Sequence, residues 1–189
     1  DSVTPDMEDP KELKKFLELI RSLSANGAIL AYHDRSAGGL AAALCEMMFA
    51  SHVGVEIVAD ALVSKDRTLN QALFNEELGA VIQVARGRAA EVERDFEAAG
   101  MGWSLKYLGN LTQDDHLNIY LEGKCVLSED RVDLQKAWNE VSWQIARMRD
   151  NPECVDSEYE LISDKHNGGL VLTMGFDPEE NLAAPFINT

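Results

Sequence analysis

The sequence has few cysteines, few positive charges and no long apolar run. Its three cysteines, Cys45, Cys125 and Cys154, are odd in number and lie far apart, without a Cys-x-x-Cys pair. This spacing suggests neither a disulfide framework nor a zinc ribbon. No apolar stretch approaches the roughly eighteen residues that span a membrane, and residues 1–9 lack signal-peptide character. We therefore expect a cytoplasmic protein with free thiols and no membrane contact.

Positive charge is scarce, since 17 Lys and Arg face 33 Asp and Glu and give a net charge of −16. Such a chain lacks the positive surface that binds nucleic acid or anionic lipid, so we predict neither partner. From Asp150 onward there are nine acidic residues and only one basic residue, Lys165. This shift predicts a change of organisation there. The polar start without Met is interpreted as a fragment boundary.

Apolar spacing predicts alternating helices and strands in the first 150 residues. The predicted strands are 29–32, 53–57, 80–84, 105–108, 116–121 and 124–127. A first helix is capped by Asp9 and ends at Asn26-Gly27, a second opens at Gly38, and a third covers 88–99. We expect Ser128 to cap a long fourth helix that ends before Pro152.

This order predicts an α+β fold, a mixed β-sheet covered by helices, over residues 1–150. The fourth helix carries apolar residues at steps of four and three, which predicts a face packed in the core. They are Leu134, Trp138, Val141, Ile145 and Met148. Residues 151–189 are predicted to form an extended, acidic connector, with a short extended piece at 170–174.

The sharpest motif is His33-Asp34-Arg35-Ser36-Ala37-Gly38-Gly39, between a predicted strand and a predicted helix. Such a junction presents N–H groups at a positive helix end, where anions bind. Gly38 and Gly39 allow a tight turn, Ser36 supplies a hydroxyl, and Asp34 is a ligand for a hard cation. The parts suit Mg-nucleotide.

A structural reading of this motif stays open, because a Gly-Gly turn after a strand is common and Asp34 or Ser36 can cap a helix. The motif is neither a Walker loop nor a GxGxxG fingerprint. Asn75-Glu76-Glu77 precedes a strand and either faces substrate or a neighbouring domain, or forms a polar turn closed by Gly79. His33 orients Asp34, touches a phosphate, or is a hydrogen-bonded histidine at the strand end.

The motif 33–40 resembles that of the ATP-binding superfamily of aminoimidazole ribonucleotide synthetase and formylglycinamide ribonucleotide amidotransferase. Three further segments look like the large, single-chain bacterial amidotransferase family. They are 72–84, 147–154 and 183–185, together with Trp138 and Trp143. The resemblance implies a fold like the C-terminal domain of the synthetase.

The resemblance also implies a parent enzyme that uses ATP and glutamine to convert formylglycinamide ribonucleotide into its amidine in purine biosynthesis. ATP activates the amide oxygen, and ammonia from glutamine displaces it, leaving ADP and phosphate. The chain then corresponds to part of the second synthetase-like half, between upstream synthetase-like domains and a downstream glutaminase. We expect the isolated fragment to be inactive and to contain no catalytic residue, and its cysteines to be packed or surface thiols.

Carried over by position, Asp34 matches a Mg²⁺-binding aspartate, Ser36 an ATP-contacting residue, and Gly38 and Gly39 the turn. Ala37 departs from the pattern, since close relatives often have Asp there. A single carboxylate leaves most of the six Mg²⁺ positions to other ligands. Two alternatives stay open: a non-catalytic scaffold or docking domain, and another superfamily member such as aminoimidazole ribonucleotide synthetase.

Overall fold

The chain forms two separate sheets rather than one. In the computed structural model, which describes residues 6, 7, 9–167, 169, 173, 175 and 177, the strands are β1 (Ile29–Asp34), β2 (Gly54–Val58), β3 (Ala80–Val84), β4 (Gly109–Thr112), β5 (His116–Leu121) and β6 (Lys124–Asp130). β1 pairs antiparallel with β3. The other four form a mixed sheet in the order β4-β2-β5-β6, with only β2 and β5 parallel.

Six α-helices accompany the sheets in the described part of the chain, which confirms the α+β class. They are α1 (Pro10–Ala25), α2 (Gly39–Ser51), α3 (Leu69–Phe74), α4 (Ala89–Ala98), α5 (Arg131–Arg149) and α6 (Pro152–Glu160). As predicted, the Asp9 side chain caps α1 by accepting from the N–H of Lys11 at 2.8 Å. None of these helices is long and apolar enough to cross a membrane.

Two hydrophobic clusters hold the elements together. The larger packs α2 against the four-stranded sheet and contains Leu40, Leu44, Met48, Val55, Ile57, Leu117 and Ile119. The smaller joins α1 and α4 to the two-stranded sheet and contains Leu23, Ala28, Val92, Phe96 and Met101. Leu40, Leu44 and Met48 of α2 therefore lie in the core.

The predicted strand at 105–108 is wrong, because pairing with β2 begins only at Gly109. A Cβ at this position would collide with the carbonyl oxygen of Glu56. Only glycine allows the two backbones to come this close, so the strand starts there. The hairpin predicted at Glu122-Gly123 is confirmed, with φ of +52° and +73° at these residues, which is typical of a two-residue type I′ turn.

Helix α5 begins at Arg131 with Asp130 as its cap, not at Ser128, which lies in β6. The guanidinium of Arg131 is 1% exposed and bonds the Asp115 carboxylate at 2.6 Å. Lys165 contacts both Asp115 and Asp130, and its hydrogen bond holds the pKa of Asp130 below its ordinary value. The buried ion pair between Arg131 and Asp115 thus determines where α5 starts.

The prediction of a core face along α5 is wrong beyond its first turns. Leu134 packs against the larger cluster. The next four apolar residues, here called the α5 stripe, are exposed by 58% at Trp138, 69% at Val141, 57% at Ile145 and 87% at Met148. Within the described part of the chain, Trp138 is the one stripe residue with an aromatic neighbour, Phe49, at 5.9 Å between ring centroids.

The extended connector is wrong for residues 152–163, which form α6 and a 3-10 turn. Pro152 ends one helix and starts the next, and the Asn151 side chain accepts from the N–H groups of Glu153 and Cys154. Tyr159 of α6 stacks on Trp143 of α5 at 4.4 Å between ring centroids. Most of the predicted piece at 170–174 lies outside the described residues. The division at residue 150 stays a prediction.

Candidate functional site

The candidate site is the turn at residues 33–39, which joins β1 to α2. β1 continues through His33 and Asp34, where the sequence predicted the start of a loop, because both residues pair with β3 opposite Val81 and Ala80. The Asp34 side chain is exposed and has no hydrogen bond or ion pair among the described residues. Its carboxylate is therefore free to meet a ligand.

Both glycines of the turn have left-handed backbone conformations, φ +79° at Gly38 and +67° at Gly39. Gly38 precedes the first residue of α2 and offers no side chain to cap it. Gly39 is buried, and a Cβ there would lie 2.7 Å from the carbonyl oxygens of Leu73 and Asn75. The close approach at Gly39 is thus to the chain's own backbone. Its assignment to nucleotide binding stays a prediction.

Arg35 attaches the turn to residues 75–79, here called the 75–79 loop. Its Nε donates to the carbonyl of Glu77 at 2.6 Å, and its Nη2 donates to the carbonyl of Leu78 at 3.0 Å. Its backbone N–H donates to the carbonyl of Gly79 at 2.8 Å. Burial lowers the pKa of Arg35, with a smaller effect from nearby Arg67. The Arg35 guanidinium therefore joins the turn at 33–39 to the 75–79 loop through these hydrogen bonds.

The 75–79 loop also reaches back to the start of α2. The N–H of Gly38 donates to Oε1 of Glu76 at 3.0 Å, and the N–H of Glu77 donates to Oδ1 of Asn75 at 2.7 Å. The sequence left open whether Asn75-Glu76-Glu77 faces substrate or a neighbouring domain, or forms a polar turn. The loop is a turn at the candidate site, brought there because β3 begins beside the end of β1.

His33 connects the turn to α2. Its Nδ1 lies 2.7 Å from the carbonyl oxygen of Asp34, and its Nε2 lies 2.7 Å from the Glu46 carboxylate. Both nitrogens face acceptors, so both contacts are N–H hydrogen bonds only when the ring is protonated. The ring is thus a hydrogen-bonded histidine at the end of β1, the structural role considered for it, with one contact to the backbone at Asp34.

Asp34 and Ser36 are hard oxygen donors, the chemistry that Mg²⁺ prefers. The described residues contain no group of three or more metal-binding side chains. The Ser36 hydroxyl is exposed, while its carbonyl accepts from the N–H of Gly39 at 2.9 Å. The donor set therefore fits one part of a Mg²⁺ shell, with phosphate oxygens and water as the complement.

The family described as AIR synthase related protein, C-terminal domain, matches residues 1–122. The chain belongs to this family. The matched segment contains both the turn and the 75–79 loop, whereas α5 and α6 lie beyond it. The site is therefore built by the part of the chain that the AIR synthase related family shares.

Solved structures show the same fold at low identity. PurL of Thermotoga maritima complexed with FGAR aligns with a TM-score of 0.60 and 17% identity, over 71% of this chain and 23% of that one. The same protein complexed with ATP aligns with a TM-score of 0.58 and 16% identity, over 67% of this chain and 22% of that one. A HypE-HypF complex aligns with a TM-score of 0.51 and 22% identity, over 60% of this chain and 39% of that one. The chain thus spans less than a quarter of the PurL chain.

A groove lies elsewhere, between α5 and α6, and no predicted site residue lines it. Its aromatic groups are already engaged: Trp143 stacks on Tyr159, and Nε1 of Trp143 donates to Asp156 at 2.9 Å. Packing therefore accounts for Trp143.

Burial raises the pKa of Cys45 to about 11, so this thiol stays protonated and is not an activated nucleophile.

Proposed function

We propose that the turn at residues 33–39 forms one side of a Mg-ATP site in a formylglycinamide ribonucleotide amidotransferase of the large single-chain type. The observation that carries the proposal is that the side-chain oxygens of Asp34 and Ser36, beside the start of α2, are exposed and have no hydrogen bond among the described residues. The 75–79 loop holds the turn through Arg35 and Gly38. The family match and the likeness to PurL, which was solved with ATP, support a nucleotide-using enzyme of this family.

In the proposed reaction, ATP transfers its γ-phosphoryl group to the amide oxygen of formylglycinamide ribonucleotide. Ammonia, formed with glutamate when glutamine is hydrolysed, then attacks the activated carbon. Phosphate leaves, and the product is an amidine. Mg²⁺, when bound, neutralises charge on the phosphates, with Asp34 as one of its ligands. Ser36 orients the nucleotide, and the N–H groups at the start of α2 face a phosphate.

The isolated chain is inactive in this proposal, because it supplies only part of the nucleotide site. Upstream synthetase-like domains provide the remaining ligands and the substrate contacts, and a downstream glutaminase domain provides ammonia. The small share of the PurL chain that aligns with this one supports this division. HypE shares the fold, so the fold does not select the reaction. Segments 72–84 and 147–154 favour the amidotransferase.

The test replaces Asp34 by Asn in the full-length enzyme that contains this chain. We expect ATP-dependent amidine synthesis to fall at least about 100-fold, because a metal ligand at the transferred phosphoryl group is lost. Glutamine hydrolysis should remain. Both rates are measured on the same preparation, the first by product formation and the second by glutamate release.

The matched control is Glu93→Gln, which also turns a carboxylate into an amide but lies exposed on α4. It should leave both rates unchanged. If Asp34→Asn synthesises the amidine at the wild-type rate, the assignment of Asp34 to the catalytic Mg-ATP site is wrong. In that case the non-catalytic docking domain becomes the better description.

A further inference from the structure

The start of α2 already holds an anion, the Glu76 carboxylate. Its Oε1 accepts from the N–H of Gly38 at 3.0 Å. A phosphate bound at this positive helix end competes for the N–H of Gly38, because the next N–H, that of Gly39, already donates to the carbonyl of Ser36 at 2.9 Å. Glu76 therefore occupies a position that the proposed function gives to a nucleotide phosphate.

We propose that Glu76 is a specificity-determining residue of this site: it caps Gly38 without ligand, leaves when phosphate binds, and favours Mg-bound over metal-free nucleotide. The inference rests on the proposed function, since it presupposes a phosphate at the turn. It adds a residue outside the 33–39 motif and a reason for metal dependence.

Displacement of Glu76 requires only a side-chain movement. The residue is exposed, and its carboxylate has a single hydrogen bond among the described residues, the one to Gly38. The backbone around it is fixed, since Arg35 bonds three carbonyls of the 75–79 loop and Gly39 packs tightly on Leu73 and Asn75. The carboxylate can thus swing into water while the phosphate-binding backbone keeps its shape.

The charges near the turn explain the preference for the metal complex. Asp34 and Glu76 are both carboxylates, and the one guanidinium in the motif, Arg35, points at backbone carbonyls. A metal-free polyphosphate therefore meets like charge. Mg²⁺ on the phosphates offsets that repulsion. Removing the charge of Glu76 should accordingly help metal-free anions more than the Mg complex.

The experiment uses the ¹⁵N-labelled 189-residue chain and follows the Gly38 amide by NMR during titration with ADP, with and without Mg²⁺. This readout detects millimolar affinities. We expect Glu76→Gln to tighten metal-free ADP about three- to tenfold, because a charged competitor for the N–H is removed. The gain for Mg-ADP should be about twofold or less.

Glu77→Gln is the matched control, since it removes the same charge one residue away. Glu77 contacts Arg35 through its backbone carbonyl, so its side chain does not compete for Gly38. Its effect on both ligands should stay below about twofold. Glu76→Asp provides a second variant, since it keeps the charge but is one methylene too short to reach Gly38.

Equal effects of Glu76→Gln and Glu77→Gln would overturn the inference and leave the proposed function intact, since only the general charge of the chain would then matter. An equal gain for ADP and Mg-ADP would overturn the metal preference. If the Gly38 amide of neither the wild type nor Glu76→Gln responds to ADP, with or without Mg²⁺, the inference fails. The proposed function is then decided separately by Asp34→Asn in the full-length enzyme, because the isolated chain holds only part of the nucleotide site.

Discussion

The turn at residues 33–39 and the outer half of α5 differ in how the rest of the chain surrounds them. Around the turn, Arg35, Gly38 and Gly39 each contact the distant residues 73–79. The α5 stripe, Trp138 to Met148, has regular apolar spacing but remains in solvent. A motif of mixed polarity is thus held by distant residues, while the regular apolar pattern is left uncovered. Periodicity reports which residues share a face, and only the tertiary structure decides whether that face is covered.

In each of these two regions, one residue holds the segment against the rest of the chain. Gly39 anchors the turn by packing on a neighbouring backbone, and Arg131 anchors the first turn of α5 through its buried ion pair. On the opposite side of α5 from the stripe, Arg147 pairs with Asp156 of α6 at 2.7 Å. The stripe thus begins where the contacts of α5 with the core end.

The largest effect is expected for Gly39→Ala. The new methyl group would lie 2.7 Å from two carbonyl oxygens and would force alanine into a left-handed conformation at φ +67°. Strain and steric conflict together should lower the free energy of unfolding by about 3 to 5 kcal/mol. Urea denaturation followed by circular dichroism measures it.

Gly87→Ala is the matched control for that substitution. Nothing lies within 4 Å of a Cβ at Gly87, and its φ is not in the left-handed region. Its stability should stay within about 0.5 kcal/mol of the wild type. Similar losses for both variants would mean that the contact between the turn and the 75–79 loop contributes little.

A smaller loss is expected for Arg131→Ala, which separates α5 from its anchor. The substitution leaves the partly buried Asp115 without its main partner, although Lys165 remains 3.4 Å away. Removing one partner of a buried ion pair typically costs about 3 to 5 kcal/mol. Because Lys165 compensates in part, we expect about 2 to 3 kcal/mol, measured by thermal unfolding. A loss below about 0.5 kcal/mol would contradict the anchoring role.

The smallest effect is expected on the α5 stripe. Val141→Ala removes two methyl groups that are already in water and should change stability by less than about 0.5 kcal/mol. Val55→Ala makes the same change in β2, where the side chain is 8% exposed, and should cost about 2 kcal/mol. Equal losses in urea denaturation would show that the stripe is buried in solution.

Local signals in the sequence predicted much of the fold. Asp9 and Pro10 mark the start of α1, Glu122-Gly123 marks the hairpin, and alternating residues mark β2 and β5. These predictions succeed because caps and turns depend on neighbours within a few residues. Strand 105–108 and the Ser128 cap fail because Gly109 and Arg131 act through distant partners, Glu56 and Asp115.

The features of the candidate site also separate into those that local signals predicted and those that they did not. The α+β class, the strand–turn–helix order and the oxygen ligands at Asp34 and Ser36 could be predicted from the sequence, since they follow from local spacing and side-chain chemistry. The pairing of β3 with β1, which brings Glu76 to Gly38 and turns Arg35 toward backbone carbonyls, is known only from the folded chain. The same holds for the exposure of the α5 stripe. Contacts between residues about forty positions apart depend on which strands pair, and no local pattern specifies that choice.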